Sequence, residues 1–156
     1  MNKKIFIALS VVIVAIVAMG TVSAFDLSDL GSLFGGSPPD QNVTVDGETF
    51  HIPGTLKENT SMSKNGTVDD YTYFTSTTYV KSYSNDTDFI NILVFDYNGT
   101  DAVNFVNYQN GTDKNVNGTQ GFYYSDSTAK SFSFTKGSKV ITIQSNDEKL
   151  IAPVIA

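Results

Sequence analysis

Hydrophobic and polar positions divide the chain into three zones. Ile5 to Gly20 is an uncharged apolar run. Phe25 to Phe34 places Leu27, Leu30, Leu33 and Phe34 at helical spacing, with Asp26 and Asp29 opposite. From residue 40 onward the pattern changes to short runs rich in Val, Ile, Thr, Tyr and Phe, punctuated by Asp-Gly, Asn-Gly and Lys-Gly pairs. Such pairs tolerate positive φ and join antiparallel strands.

The third zone predicts a series of elements. Val43–Val45 and Glu48–Ile52 flank Asp46-Gly47 as a hairpin, and Pro53-Gly54 ends it. Residues 55–67 are polar and read as a loop or at most a frayed helix. Tyr71 to Tyr83 alternates as one strand, with Tyr71, Tyr73 and Tyr79 on one face and Phe74 and Val80 on the other. Phe89–Phe95 is almost wholly apolar, so it predicts a central strand covered on both faces, with Phe89, Ile92, Leu93, Val94 and Phe95 in the core. Thr100 is placed to cap a helix from Asp101 to about Gln109, with Ala102, Val103, Phe105 and Val106 as its buried stripe. Asn117-Gly118 and Lys136-Gly137-Ser138 turn further strands. Asn146 or Asp147 caps a short helix, Glu148–Ala152, stopped by Pro153. Together these elements predict an α+β fold: an antiparallel β-sheet with one or two short helices on one face, preceded by an N-terminal apolar signal or anchor helix.

The first zone sets the compartment. Lys3 and Lys4, the apolar run and Val22-Ser23-Ala24 form the three parts of an export signal. At about 1.5 Å per residue, residues 5–25 also reach across a bilayer core, so cleavage and membrane anchoring both stand. Either way residues 25–156 lie outside: 25–39 as a stalk or linker ending in Gly-Gly-Ser-Pro-Pro, and 40–156 as one extracytoplasmic domain. Loss of the two signal lysines takes the net charge from −6 to −8. A chain this acidic, without Arg, repels phosphate backbones, which excludes nucleic acid as a partner. The absence of Cys excludes disulfides, thiolate catalysis and Cys-ligated metal.

Seven Asn-x-Ser/Thr sequons follow, at Asn42, Asn59, Asn65, Asn85, Asn98, Asn110 and Asn117. Composition alone would give roughly 3. Four of them read Asn-Gly-Thr, which is also tight-turn chemistry, so glycan acceptors and plain turns compete for these positions.

Residues that carry catalysis are sparse. His51 is the sole His and lies in a predicted strand. No nucleophile frame, phosphate-cradling loop or His pair is present. Asp96 and Asp101 bracket a faint calcium-loop pattern, but residues 102–107 lack the bidentate acid that such a loop requires. No metal and no cofactor is expected. Asp69-Asp70 and Asp86/Asp88 read as solvated loop charges. Tyr71, Tyr73, Tyr79 and Tyr83 are the candidate ligand-binding residues, as an aromatic platform for a sugar or peptide.

Asp46-Gly47-x-x-Phe50-x-Ile52-Pro53, Asn117-Gly118-x-x-Gly121-Phe122, Phe132-x-Phe134-x-Lys136-Gly137-x-Lys139 and Asp147-Glu148-Lys149-Leu150-Ile151 resemble small exported proteins of methanogenic archaea, over about residues 38–152. The resemblance implies an archaeal cell envelope and no mechanism. The functional expectation is a non-enzymatic envelope glycoprotein, a displayed accessory or interaction domain with an envelope protein or glycan as partner. The alternative is an extracytoplasmic ligand-binding module that uses the Tyr-rich sheet face or a sheet edge.

Overall fold

Turn chemistry sets most of the strand boundaries. The computed structural model describes residues 38–71, 74–97 and 111–155. The signal or anchor (1–24), most of the stalk and the helix expected at 101–109 lie outside the described residues. Strands β1 (Gln41–Val45) and β2 (Glu48–Ile52) form the predicted hairpin around Asp46 and Gly47, whose φ values are 47° and 78°. Strands β7 (Thr112–Val116) and β8 (Thr119–Ser125) repeat the device at Asn117 and Gly118, with φ of 51° and 84°. Both pairs fit the two-residue turn whose twist matches that of the flanking strands.

The remaining strands are β3 (Lys57–Glu58), β4 (Lys64–Tyr71), β5 (Phe74–Ser84), β6 (Phe89–Asp96), β9 (Lys130–Lys136) and β10 (Lys139–Ser145). One antiparallel sheet runs in the order β3-β5-β6-β10-β9-β8-β7, with β4 also paired to β5; β1 and β2 form a separate two-stranded sheet. Fold class is therefore sheet-rich and antiparallel, with one short helix among the described residues. That helix, α1 (Ile151–Val154), follows a 3-10 turn at Glu148–Leu150. No helix among the described residues is long and apolar enough to cross a membrane.

Three expectations are corrected. Residues 57–58 and 64–67 are strand rather than loop, because β5 supplies hydrogen-bonding partners to a polar segment with no apolar face of its own. Tyr71–Tyr83 is not one strand: Tyr71 pairs with Phe74, so the chain reverses between them and β4 and β5 form a hairpin. Pro153 does not stop the last helix but sits inside it. It lies in the first turn, where a missing N–H has no carbonyl to lose. Asp147 is the cap that forms, its side chain accepting from the Lys149 N–H at 3.0 Å.

The core lies between the front of the large sheet and a layer made of the β1–β2 hairpin and α1. Val45, Phe50, Ile52 and Leu56 from one side, with Ile151, Val154 and Ile155, meet Tyr83, Ile90, Ile92, Val94, Phe132, Phe134, Ile141 and Ile143. Each fully buried aliphatic or Phe side chain here contributes about 1.5–3 kcal/mol of transfer free energy. Strand β6 is buried on both faces as its apolar run requires; Ile92, Leu93, Val94 and Phe95 are all buried, while Phe89 at its start is half-buried.

Candidate functional site

The five described sequon asparagines sit in different local structures. Asn42 is exposed in β1, directly opposite His51 in the hairpin register. The His51 Nδ1–H donates to the Asn42 side-chain carbonyl in a short hydrogen bond, which fixes both side chains. Asn59 follows β3, and its carbonyl accepts from the hydroxyl of Ser61, the third residue of its own sequon, at 2.7 Å. Asn65 is exposed in β4 rather than in a hairpin turn, beside a register shift between Lys64 and Thr67. Asn85 organises the β5–β6 turn: its carbonyl accepts from the N–H groups of Thr87 (2.9 Å) and Asp88 (2.8 Å). Asn117 occupies the β7–β8 turn and donates through Nδ2 to the carbonyls of Ala152 (2.7 Å) and Ile155 (3.1 Å). Asn98 and Asn110 lie outside the described residues.

Of the four candidate tyrosines, the structure describes the surroundings of Tyr79 and Tyr83. Tyr71 ends β4, and Tyr73 lies outside the described residues. Tyr83 is 2% exposed, within the front core, so its ring has no surface to offer a ligand. Burial pushes its phenol up to about 12, with Glu58 adding to the effect. Tyr79 is half-buried against the same core. Gly66 of β4, with φ of 73°, passes so close that a Cβ there would come within 3.3 Å of the Tyr79 ring. Burial raises the Tyr79 phenol, and the Asp46 carboxylate that it faces raises it further.

The charges near this hairpin neutralise one another. Lys139 lies 3.0 Å from the Asp46 carboxylate and 3.8 Å from Glu48, and it also donates to the Asp46 backbone carbonyl. Lys136 pairs with Glu48 at 2.6 Å. The network ties the β1–β2 turn to the start of β10. It borders a cleft of about 230 Å³ lined by Glu48, Phe50, Phe134, Lys136, Ile141 and Ile155, whose charged rim is thus already paired. At the other end of the sheet Lys114 sits 4.0 Å over the Tyr123 ring and pairs with Glu148. Hydrogen bonding from Lys114, then from Tyr123, holds the Glu148 carboxyl below its ordinary range.

Two arrangements were not anticipated from sequence. The first is the Asp46–Lys139–Glu48–Lys136 network, whose partners lie far apart in the chain. The second is a polar row across the back of the sheet, where Ser82, Asn91, Gln144 and Ser131 stand opposite one another on β5, β6, β10 and β9. All four are buried, and Asn91 donates to the Gln144 carbonyl at 3.2 Å. The Asn91 side-chain oxygen is buried without a hydrogen-bond partner. A carboxamide inside each of two apolar runs, Phe89–Phe95 and Val140–Ile143 with Gln144, is the signal that marks this row in the sequence.

Comparison of the chain with protein-family models, characterised proteins and solved structures finds no match. The site is therefore read from its own chemistry. Among the described residues no group of three or more His, Cys, Asp or Glu is arranged to hold a metal ion. Asp96 accepts from the Ser138 hydroxyl at 2.7 Å, and Asp101 lies outside the described residues. His51 faces an amide oxygen, not a nucleophile.

Proposed function

We propose that residues 25–156 form a non-enzymatic module displayed outside the cell and N-glycosylated, an accessory or interaction domain of an archaeal cell envelope. The carrying observation is the position of Asn42 and Asn65. Both are exposed strand residues, in β1 and β4, where Asn is disfavoured, and neither lies in a hairpin turn; Asn65 adjoins a β4 bulge at which Gly66 takes φ of 73°, so Asn42 is the position that turn chemistry leaves unexplained. A sequon at such a position has a reason to exist as an acceptor. The export signal or anchor formed by Lys3, Lys4, Ile5–Gly20 and Val22-Ser23-Ala24 supports the same reading, as does the resemblance to exported archaeal proteins. Cleavage leaves the domain free, and retention holds it by residues 5–25; both give the same exposure.

A second reading, binding through a sheet edge, is favoured by β4. Among the described residues this strand pairs with β5 alone, and Val68 on it is 64% exposed, the most exposed large hydrophobic residue described. Protease added to intact cells of the native host tests the display. Digestion of residues 40–156 is the expected result, and full protection with recovery in the cytoplasm overturns it.

A further inference from the structure

An N-linked sugar replaces one of the two hydrogens on the Asn Nδ2 atom. An acceptor therefore needs an Nδ2 that faces solvent and is not already committed to the protein, and the described sequons differ on this point. Asn42 and Asn59 use their carbonyl oxygens, in bonds to His51 and Ser61, and Nδ2 of neither donates to a described residue. These bonds orient the amide without consuming its hydrogens. Asn65 is exposed and makes no side-chain hydrogen bond to the described residues. Asn85 commits its oxygen to the turn and donates only at 3.4 Å to the Thr55 carbonyl. Asn117 is the reverse case: its Nδ2 donates to two carbonyls, those of Ala152 and Ile155. A sugar there breaks at least one of these bonds and is directed at a segment whose Val154 and Ile155 are buried in the front core.

We propose that the sugar coat is one-sided across four of the five described sequons: Asn42, Asn59 and Asn65 carry it, while Asn117 is an unmodified clip that holds the C-terminal segment on the β7–β8 turn. Sheet order places the two groups apart. β3 and β4, next to Asn59 and carrying Asn65, lie at one edge, and β7–β8 lies at the other. The start of β1 is tied to the first side, since Gln41 donates to the Leu56 carbonyl just before β3. A sugar at Asn65 stands on the open β4 edge, three residues from Val68, and obstructs strand addition there. Among the described sequons, none at the β7–β8 end carries sugar. This assignment rests on the glycoprotein reading above.

The experiment has two arms. Peptide mass mapping of protein from the native host, before and after glycan removal, is expected to find sugar on Asn42, Asn59 and Asn65 and none on Asn117. In unglycosylated recombinant protein, Asn117→Gly, which keeps the positive-φ turn while removing the side chain, is expected to lower Tm by about 4 °C or more through loss of two hydrogen bonds, with Asn65→Ala within about 1 °C of the parent. Sugar on Asn117, sugar on none of Asn42, Asn59 and Asn65, or an Asn117→Gly variant that melts with the parent overturns the one-sided assignment and leaves the glycoprotein reading standing wherever sugar is found. A native chain without sugar at any sequon overturns both.

Discussion

Ile143 and Gln144 are neighbours in β10, equally withdrawn from solvent, and they face opposite ways. Ile143 looks to the front, among Ile92, Phe132 and the hairpin layer. Gln144 looks to the back, in a row with Ser82, Asn91 and Ser131, with Thr142 and Ser133 bonded at 2.8 Å in the next row. The front is held by apolar burial and the fit of large side chains, so deletions there leave cavities. On the back, small polar groups share a buried face with Val80, Leu93, Phe95 and Val140, and the polar groups need partners more than they need shape. A one-residue slip of β10 would exchange the two sets, placing Gln144 and Thr142 against Phe132 and Ile52, so the contrast itself fixes the register.

The largest effect is expected on the front. Phe132→Ala, at a fully buried ring stacked on Phe134, should cost about 3–5 kcal/mol by urea denaturation. A loss under about 1 kcal/mol would mean that the front is not the principal core. Next comes pH. The Tyr83 phenol is held near 12 by burial, above its ordinary 10.0, so the folded state keeps that proton more tightly than the unfolded chain. Its contribution is complete below pH 10 and is lost as pH rises through about 12, roughly 2–3 kcal/mol in all. Tyr83→Phe should flatten that alkaline loss; an unchanged slope between pH 10 and 12 would assign it to other groups.

Lys139→Met removes the ion pairs to Asp46 and Glu48 and the bond to the Asp46 carbonyl, loosening the hairpin from the sheet. A cost of about 1–2 kcal/mol is expected, because the pair is only partly desolvated. Thermal melts in low and high salt check it, and a variant as stable as the parent would show that apolar packing alone seats the hairpin. The smallest effect is on the back. Replacing both carboxamides, in Asn91→Leu/Gln144→Met, should change stability by no more than about 1 kcal/mol, since both partners leave together and the unpartnered Asn91 oxygen goes with them. A loss above about 3 kcal/mol would make the polar row a structural element equal to the front core.

Much of the sheet was legible because its signals are local. Asp46-Gly47 and Asn117-Gly118 announce their turns, and the apolar run of β6 announces a strand covered twice. β4 was not legible: Lys64 to Tyr71 has polar residues on both faces and becomes a strand only because β5 offers its edge. The reversal after Tyr71 was hidden for a related reason. Tyr and Thr are strand formers, and no Gly, Pro or Asn between 71 and 74 marks a turn. At the candidate site the sequence supplied the asparagines but not their availability. What distinguishes Asn117 from Asn65 is a pair of carbonyls 35 and 38 residues away, and no local window contains them.

The pairing of β6 with β10 has a consequence for how the chain is made. Asp96 and Lys139 are partners, yet the whole of β7, β8 and β9 is synthesised between them. The later strands form a meander joined by short turns and close quickly. β6 leaves the translocation channel on the proposed export route with β5 on one side and nothing on the other. Until β10 arrives, the most apolar strand of the sheet has a bare edge, and its backbone groups are open to any neighbouring chain. The risk of misassembly in this protein is therefore concentrated in a time window, between delivery of residue 96 and delivery of residue 139, and slowing elongation within that window should raise aggregation more than slowing it anywhere after β10.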